Sequence, residues 1–523
     1  MKRNCIRTFI LITLIITLPA FCCPASAADS QAELFTADGF VYQLNDAQEA
    51  VIVSYTGNEK KLEIPAFLEG HPVVCLASKC LMQSNLTEVI IPSSVRELKD
   101  RVFSNCYSLT KATFANGVTK MGEHVFFACS KLQEVTFPDT LTEIGNAPLA
   151  HCPSLKSILI DDGHPYLELV DNVLYSIPDH KLIWYPETRK DKEYIVVDGT
   201  KIIGEYAFAG CKAKNIVLPD SVERIDAYAF CYCKNLTSFR IPPKLTSYDR
   251  IITDCNKLTE LSVAEDNTCF EVRDGALYQT QTHSLVYFPA SVRIKEYVVP
   301  EDVEEIQGGC FSGAGIHRLV FTGPVKHIGV DAFIDCKNLK EVIFPEGLEY
   351  LNSFSFAYCN KLKYVKLPST LKKLTANPFM ESQLLESFDT AGNNADVAII
   401  DNCLVTLEDM RIIAYPGGAK EKDVVIPDGI KVINREAFYN QANMTTLMIP
   451  EGVESIRYRA FLGCRKLKRV ILPESLKQID RTAFCSDNSF TNYLNAVFAV
   501  KRGSYAESFC LSYGLKVEYT DEI

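Results

Sequence analysis

Positive charge is scarce in this sequence relative to negative charge. Its 523 residues include 54 lysines and arginines against 65 aspartates and glutamates, so the formal net charge at pH 7 is −11. A body of this charge repels phosphate backbones, and we therefore do not expect a nucleic acid among its partners.

The short motifs of common catalytic sites are also missing. There is no H-E-x-x-H, G-x-S-x-G, phosphate-binding P-loop or G-x-G-x-x-G. The eight histidines are scattered, Cys231-Tyr232-Cys233 is a C-x-C and not a C-x-x-C pair, and no histidine lies at the spacing of a zinc site. We therefore expect no enzyme, cofactor or metal, and most histidines are expected in solvent-exposed loops. A hydrolase whose site is assembled from loops is the alternative.

Only one stretch of the chain is continuously apolar. Lys2, Arg3 and Arg7 precede the run 9–18, and Ala25-Ser26-Ala27 follows it with the small residues a signal peptidase requires. The run is too short to span a bilayer. Residues 1–27 are predicted to be a secretory signal peptide, and the mature chain is predicted to lack a transmembrane segment.

A pattern of 22 or 23 residues recurs through most of the chain. It reads L-x-x-Φ-x-Φ-P, then V/L-x-x-Φ, then A-F-x-x-C, where Φ is apolar, as in the segment 130–152. The last two Φ positions of the first part are two apart, which is the period of a strand. Ten such units begin at Asn85, Tyr107, Ser130, Lys212, Lys234, Gly315, Lys337, Asn360, Ala442 and Arg465.

One coil cannot bury its own apolar edge, so the coils must stack with their strands in a parallel sheet about 4.8 Å apart. The proline ends each strand, and A-F-x-x-C is long enough for about one helical turn. In the unit 130–152, Leu132, Val135 and Phe137 should point inward while Glu134 and Thr136 point outward.

Three further units, 153–211, 256–314 and 383–441, are each 59 residues long. Their equal length indicates one duplicated element. Val173–Tyr175 and Leu182–Tyr185 flank Pro178-Asp179-His180, a pattern typical of a β-hairpin. We predict residues 28–84 to be an N-terminal cap with a first partial repeat, 85–487 the repeat array and 488–523 a C-terminal cap.

The repeat resembles the BspA-like leucine-rich repeat of bacterial surface proteins, on the strength of segments such as Leu467–Pro473 and Ala207–Cys211. The resemblance covers essentially the mature chain. It implies a right-handed leucine-rich-repeat solenoid with a parallel sheet on one face, short helical turns and three hairpin-bearing long units. It also implies extracellular adhesion to proteins or glycans.

Twenty cysteines occur in the chain, and three of them lie in residues 1–27. Nine of the rest share the last position of the A-F-x-x-C segment, where other units carry Ala314, Ser382 or Gln441. A position that accepts these replacements does not require sulfur, so buried free thiols are favoured there. Disulfides between neighbouring coils are the alternative.

Two surfaces are candidates for a partner. The first is the outward face of the sheet, with a mostly polar row that includes Arg318 and Tyr364 and a more apolar row that includes Arg240; β-branched residues that merely suit a strand would give the same pattern. The second is the set of hairpins, which could project and present aromatic side chains or pack them onto the neighbouring coil. The hairpin candidates are Tyr175, Trp184, Tyr185, Tyr278, Tyr287 and Phe288.

The sequence thus predicts a monomeric secreted or cell-surface protein that binds an extracellular protein or glycan. A structural component of a surface layer or matrix is the alternative. The oxygen-rich turns Asp161-Asp162-Gly163 and Glu265-Asp266-Asn267 are interpreted as turns, with calcium sites as the alternative.

Overall fold

The computed structural model describes residues 33–520, which form a parallel β-solenoid. The predicted signal peptide lies outside the described residues. Within 33–520, no helix is both long and apolar enough to cross a membrane. Each coil contributes one strand to a front sheet and a shorter strand to a second sheet.

The front sheet contains the L-x-x-Φ-x-Φ strands, and most successive strands pair in parallel. The ladder is interrupted at each long unit, and also after Asn215–Val217 and after Glu341–Ile343. Its strands are Lys61–Glu63, Glu88–Ile91, Lys111–Phe114, Glu134–Thr136, Ser157–Leu159, Glu193–Ile195, Asn215–Val217, Ser238–Ile241, Glu260–Val263, Glu296–Val299, Arg318–Phe321, Glu341–Ile343, Tyr364–Leu367, Ser387–Thr390, Asp423–Val425, Thr446–Met448, Arg469–Ile471, Val497–Val500 and Lys516–Tyr519.

The second sheet contains the V/L-x-x-Φ strands and the strands of the long units. Its strands are Phe35–Ala37, Phe40–Leu44, Ala50–Tyr55, Phe67–Leu68, His71–Leu76, Glu97–Leu98, Lys120–Met121, Glu143–Ile144, Leu167–Val170, Val173–Ser176, Lys181–Trp184, Ile202–Ile203, Arg224–Ile225, Phe270–Arg273, Ala276–Gln279, Ser284–Tyr287, Glu305–Ile306, His327–Ile328, Tyr350–Leu351, Lys373–Leu374, Val397–Ile400, Cys403–Thr406, Arg411–Ala414, Val432–Ile433, Ser455–Ile456 and Gln478–Ile479.

The A-F-x-x-C segments form a third side of the solenoid, here called the turn side. Most are single hydrogen-bonded turns rather than helix; the N–H of Cys129, for example, donates to the carbonyl of Phe126. One pair of short strands, Phe230–Cys231 and Ile252–Thr253, also lies here. The α-helix of the described chain is Tyr505–Ser512, whose first turn is capped by the Ser504 side chain accepting from the N–H of Glu507.

Alternation along the front strands sorts the side chains as predicted. Leu132, Val135 and Phe137 are buried, whereas Glu134 and Thr136 are partly exposed. The aromatic residue of the turn stacks on its equivalent in the next coil, with ring centroids 5.3 Å apart for Phe103 and Phe126. This separation is close to the spacing of neighbouring strands, so the backbone ladder and the ring ladder share one repeat.

Each long unit contains a three-stranded antiparallel meander where the sequence predicted a two-stranded hairpin. In the first, Leu167–Val170 pairs with Val173–Ser176, which pairs with Lys181–Trp184. Asp171 and Asn172 form the tight turn between the first two strands, both with positive φ (50° and 63°). Such a turn needs left-handed backbone at both central residues, which Asp and Asn tolerate.

Of the two alternatives for the hairpins, the structure rules out projection from the solenoid and confirms packing onto neighbouring coils. The last meander strand pairs in parallel with Ile202–Ile203, so the meander lies within the second sheet. Its residues pack on both sides: Leu174 and Trp184 join the core of the preceding coils, whereas Tyr175 and Tyr185 join the core of the following coils. The meander is therefore an internal partition between two core segments, with apolar side chains of its second and third strands buried on both sides.

The N-terminal segment repeats the same element. Phe35–Ala37, Phe40–Leu44 and Ala50–Tyr55 form an antiparallel meander with a tight Asp38-Gly39 turn. A register shift occurs at the same place in the N-terminal meander and in the first long unit, between Val41 and Tyr42 and between Leu174 and Tyr175. The element that begins the described solenoid is thus the one reused at each long unit.

Sixteen of the 17 cysteines in the described chain are buried, and all 17 are free thiols. This confirms the prediction made from the repeat position. The Cys129 thiol donates to the carbonyl oxygen of Phe103 in the preceding coil at 3.1 Å, and Ser382 makes the equivalent bond to Phe356 at 3.0 Å. Most residues at this position donate a hydrogen bond to the preceding coil, Gln441 included, whereas Ala314 fills it without a donor.

Candidate functional site

Two outward columns of side chains run along the front sheet. In the polar column, Lys61 pairs with Glu88 at 2.8 Å and Lys111 pairs with Glu134 at 2.7 Å. These pairs join adjacent strands at matched register. Exposed pairs of this kind contribute little free energy, but they fix where the charges lie.

The second outward column is aliphatic over much of its length. Eight of its side chains are exposed by 39–67 %, far more than a strand buried on both faces would allow; they are Ile90, Leu159, Ile195, Val217, Val298, Ile343, Val425 and Met448. Register places Ile195 beside Val217, and Val425 beside Met448. Single exposed aliphatics are ordinary on a protein surface, whereas rows held side by side by a sheet form apolar strips.

The candidate residues Arg240, Arg318 and Tyr364 lie on this face. The Arg318 guanidinium bridges Glu296 at 2.6 Å and Glu341 at 3.0 Å on the two flanking strands. Tyr364, on the strand after Glu341, is 48 % exposed. Arg318, its two glutamates and Tyr364 form a charged and aromatic segment of the polar column.

The hydroxyl of Tyr364 donates to Asp389 at 2.8 Å. This hydrogen bond raises the pKa of Tyr364 and lowers the pKa of Asp389, because it stabilises the carboxylate. Arg240 lies several coils away and pairs with Asp220 at 2.9 Å. The three candidates therefore share a face without forming one compact cluster.

The six hairpin aromatics are all buried, which corrects their assignment as an exposed surface. These are Tyr175, Trp184, Tyr185, Tyr278, Tyr287 and Phe288. Tyr185 stacks near Phe208 with centroids 5.1 Å apart, and Phe288 stacks on Phe311 at 4.9 Å. Tyr185 and Phe288 are the first rings of the aromatic stack that follows each meander. The hairpin aromatics thus pack onto the neighbouring coil, one of the two alternatives that the sequence left open.

The buried tyrosine hydroxyls are satisfied inside the protein. The Tyr175 hydroxyl hydrogen-bonds that of Tyr194 at 2.9 Å, and the Tyr185 hydroxyl donates to Asp191. Burial raises the pKa of Tyr175, since the phenolate would be poorly solvated there. These hydroxyl groups therefore make hydrogen bonds within the protein and are not available to a partner.

A histidine and tyrosine cluster lies on the turn side and escaped the sequence reasoning. The ring of His151 is 5.3 Å from Tyr206 and 5.6 Å from Tyr232, and the buried His124 is 6.3 Å from Tyr206. Burial lowers the pKa of both His124 and His151 to about 4, so both are neutral at pH 7. The expectation that most histidines are exposed was wrong for these two and for the buried His164.

Glu205 faces this cluster, with a carboxylate oxygen 3.9 Å from Nε2 of His124. Burial raises the pKa of Glu205 to about 7. Residues of this kind can mark a catalytic site, but that inference also needs a cavity for a substrate. Two cavities of the described chain, of about 290 and 490 Å³, lie elsewhere.

Those cavities are shallow grooves at strand ends. The first is lined by Glu143, Tyr166, Ser176 and Asp179 among others, and the second by Glu301 and Glu346 with Phe321. Among the described residues, no three His, Cys, Asp or Glu side chains converge as metal ligands. The Asn267 amide, in one of the turns weighed for calcium, is occupied: its nitrogen donates to Pro242 and Leu245 and its oxygen accepts from Cys269 and Phe270.

The model of the BspA type leucine-rich repeat region matches residues 62–169, 188–298, 286–403 and 415–509, in six copies. The chain belongs to this family. The match spans well over half of the sequence. It includes the whole second meander but only part of the first and third, since residues 170–187 and 404–414 fall between matched segments. Membership supports a binding role in general terms.

Solved structures of bacterial leucine-rich-repeat proteins are similar to this chain. A leucine-rich cell surface protein from Faecalibacterium prausnitzii is 22% identical, covers 93% of this chain and 99% of its own, and has a TM-score of 0.38. A leucine-rich-repeat protein from Eubacterium ventriosum is 16% identical, covers 71% and 99%, and has a TM-score of 0.40. The pneumococcal vaccine antigen PcpA is 16% identical over 93% and 98%, with a TM-score of 0.31. A search of curated proteins returned no match.

Proposed function

We propose that this protein is a secreted or cell-surface binding protein that holds an extracellular protein against the outward face of its front sheet. The exposed aliphatic column beside a charge-paired column carries the proposal. Apolar strips rimmed by polar groups are typical of sites that bury surface on association.

The segment from Val298 to Tyr364 is the best candidate centre of the interface. Val298 and Ile343 are exposed by 46 % and 40 %, and Arg318 stands between them in the neighbouring column. Arginine and tyrosine often dominate binding energy because each combines apolar area with hydrogen-bonding groups. Arg318 is already oriented by two glutamates, so a partner would meet it with little loss of side-chain freedom.

The experiment is a binding screen of residues 28–523 against extracellular matrix proteins and glycan arrays. For any protein hit, Val298→Ser with Ile343→Ser should weaken binding about tenfold or more, since aliphatic area is lost at the centre of the contact. Ile177→Ser with Leu511→Ser is the matched control, because those side chains are also exposed but lie outside the front sheet.

Equal effects of the two double variants would reject the front sheet as the binding face. No hit in the screen, together with ordered self-assembly of the purified protein, would favour a structural surface component. Turnover of a substrate, abolished by changes in either cavity, would favour a hydrolase.

A further inference from the structure

The ends of the front strands carry opposite charges in one part of the solenoid. Six exposed lysines precede four consecutive front strands: Lys190, Lys192, Lys212, Lys214, Lys234 and Lys257. Exposed acids follow three of the same strands, among them Asp198, Asp220 and Asp266. The six lysines are here called the lysine ridge.

Backbone hydrogen bonds stack the ridge in register. The N–H of Lys214 donates to the carbonyl of Lys192 at 2.8 Å, and the N–H of Thr237 donates to the carbonyl of Lys214 at 2.9 Å. The Asn235 amide donates to the carbonyl of Lys212 at 3.1 Å. Four coils at about 4.8 Å per step place the six ammonium groups along a line of about 15 Å.

The ridge has little charge compensation within the described chain. None of its six lysines forms an ion pair with a described carboxylate; Lys257 instead donates to the amide oxygen of Asn235 at 2.9 Å. The nearest acidic side chain on the strand itself, Glu193, accepts from the Asn215 amide. Exposed lysines outside ion pairs also precede other front strands, for example Lys295, Lys340 and Lys468. The ridge differs in collecting six of them on four consecutive coils of an acidic protein.

We propose that the lysine ridge binds a linear polysaccharide carrying sulfate or phosphate groups. It rests on the proposed extracellular location but uses a surface distinct from the protein-binding segment. Ammonium groups repeated along a line match anionic groups repeated along a flexible chain, and most of the attraction comes from release of the counterions of that chain.

The geometry favours a single narrow chain over a nucleic acid duplex. Lys214 and Asp220 are six residues apart, so the acidic edge lies at most about 20 Å from the ridge at 3.3 Å per residue. A duplex with grooves about 12 and 6 Å wide would carry phosphates over that acidic edge. Single-stranded nucleic acid relies on exposed aromatic rings for stacking, whereas Tyr194, Phe208 and Phe239 in these coils are buried.

Two acidic side chains near the ridge have raised pKa values, so they lose their negative charge at a higher pH than usual, which favours anion binding. Burial raises the pKa of Glu187 to about 7, with Lys212 partly opposing that rise, and burial also raises the pKa of Asp254, near Lys234. Glu193 and Asp191 also lie in these coils, and Asp191 is held as a carboxylate by Arg189 and Tyr185. Protonation of Glu187 below pH 7 removes a negative charge beside the ridge.

The test compares residues 28–523 with two quadruple variants on heparin and teichoic acid, with hyaluronate as the unsulfated control. The ridge variant is Lys190→Gln, Lys192→Gln, Lys212→Gln and Lys214→Gln. The matched variant is Lys120→Gln, Lys201→Gln, Lys373→Gln and Lys431→Gln, which removes the same charge from the second-sheet side. Circular dichroism of both establishes that they are folded.

The parent protein is expected to bind heparin or teichoic acid with strong salt dependence. The ridge variant should bind at least about tenfold more weakly, with a salt slope reduced by roughly one per lysine removed, while the matched variant keeps the parent affinity. Preference between the two polymers distinguishes a sulfate from a phosphate source. The proposal is overturned if the parent binds neither polymer at 0.1 M salt (an ionic strength with a Debye length of about 10 Å), if both variants lose affinity equally, or if a duplex competes better than either polymer.

Val298→Ser with Ile343→Ser should leave heparin binding unchanged. Loss of protein binding in that variant with intact heparin binding supports both proposals on separate surfaces. Failure of the ridge variant to differ from its control, with protein binding intact, would reject the ridge alone.

Discussion

The thiol of Cys336 donates to the carbonyl oxygen of Phe311 in the preceding coil, at 3.2 Å. The same bond recurs in most coils, from cysteine, from Ser382 or from Gln441, at a buried position that Ala314 fills without a donor. A thiol satisfies the carbonyl while filling an apolar corner.

Replacement of Cys336 should therefore depend on the donor and on volume. Cys336→Ser keeps the donor and should lower the free energy of unfolding by about 1 kcal/mol or less, since Ser382 already fills the equivalent position. Cys336→Val removes the donor and adds bulk, which should cost about 1–3 kcal/mol. Urea unfolding followed by circular dichroism measures both, and a valine variant as stable as the serine variant would contradict the hydrogen-bond explanation.

Cys269 should react with thiol reagents much faster than the other cysteines of the described chain. Cys269 is the partly exposed cysteine of the described chain, whereas burial raises the pKa of thiols such as Cys310 and Cys336 well above their usual range. At pH 8, a maleimide should label Cys269 within minutes and the buried thiols only after denaturation. Peptide mapping identifies the labelled sites; rapid native labelling of several repeat cysteines would show that the core is not closed. Cys269→Ala is the control.

His164 performs the task of an asparagine. Its Nδ1 accepts from the N–H groups of Tyr166 and Leu167, and its Nε2 donates to the carbonyl of Pro138. Asn394 makes the corresponding set of bonds in the third long unit, as Asn267 does in the second. His164→Asn should thus preserve stability within about 1 kcal/mol, whereas His164→Ala leaves two buried donors unpaired and should cost about 2–4 kcal/mol.

Thermal unfolding of the two His164 variants provides the comparison. Asn267→Ala offers a parallel case in the next long unit, and it should lose a similar amount. If His164→Asn were as destabilised as His164→Ala, the shared hydrogen-bond pattern would not be what holds this turn.

The sequence was sufficient to predict the solenoid because the inward residues recur at a fixed interval. The backbone N–H and C=O groups of each coil must then form hydrogen bonds with the neighbouring coils. Leu132, Val135 and Phe137 are buried as predicted, and Cys129 is a free buried thiol. These features depend on local spacing, which one sequence displays many times over.

The fate of the long-unit aromatics could not be settled in the same way. Trp184 and Tyr185 are adjacent in sequence but belong to core segments on opposite sides of the meander. An apolar run that is buried on both faces looks the same in sequence as one that projects. The additional strand Leu167–Val170 is only four residues long, too short to be recognised from its pattern. The one available signal was the repeated Asp-Asn or Asp-Gly pair, which marks a tight hairpin turn at Asp171, Asp274 and Asp401.

The lysine ridge could not be recognised from the sequence either. Each of its residues sits at a variable outward position of the repeat, and the net charge of the chain is negative. Only the stacking of Lys192 on Lys214 brings the charges together. Surface chemistry of a solenoid depends on which coils are neighbours, so it emerges once the register is known.

Fluorescence of the single tryptophan should report on the partition between core segments. Trp184 is buried, with 4 % of its surface exposed. Its native emission should therefore be blue-shifted and weakly quenched by acrylamide, and both properties should change when the first meander unfolds. Strong quenching in the native protein would mean that the ring lies at the surface.

Substitution of Trp184 measures how much its burial contributes to the free energy of unfolding. Trp184→Ala removes a large side chain between two core segments and should cost about 3–5 kcal/mol. Ile177→Ala, at an exposed side chain of the same hairpin, is the control and should cost little. Comparable stability of the two variants would contradict the burial of Trp184.

Glu187 should make the stability of the protein fall as the pH rises. Burial raises the pKa of Glu187 from 4.5 to about 7, so between those values the folded state holds a proton that the unfolded state has released. The contribution of this group is complete below about pH 4.5 and is lost as the pH rises to about 7. His151 acts in the opposite sense, because burial lowers its pKa from 6.5 to about 4 and stability is lost as the pH falls through that range. The two effects partly offset each other in the parent protein between about pH 4.5 and 6.5.

The Glu187→Gln variant removes the contribution of Glu187 to the pH dependence of stability and leaves that of His151. Its stability should rise with pH between 4.5 and 6.5 more steeply than that of the parent, and at pH 8 it should exceed the parent by about 1–3 kcal/mol, since a buried carboxylate is replaced by a neutral amide of the same shape. Urea unfolding at pH 5, 6, 7 and 8 measures the difference. Glu193→Gln, at an exposed position of the neighbouring strand, should leave the pH dependence of the parent unchanged. Parallel curves for the parent and the Glu187→Gln variant would show that Glu187 keeps an ordinary pKa, and that the charge beside the lysine ridge does not change with pH in the way its burial implies.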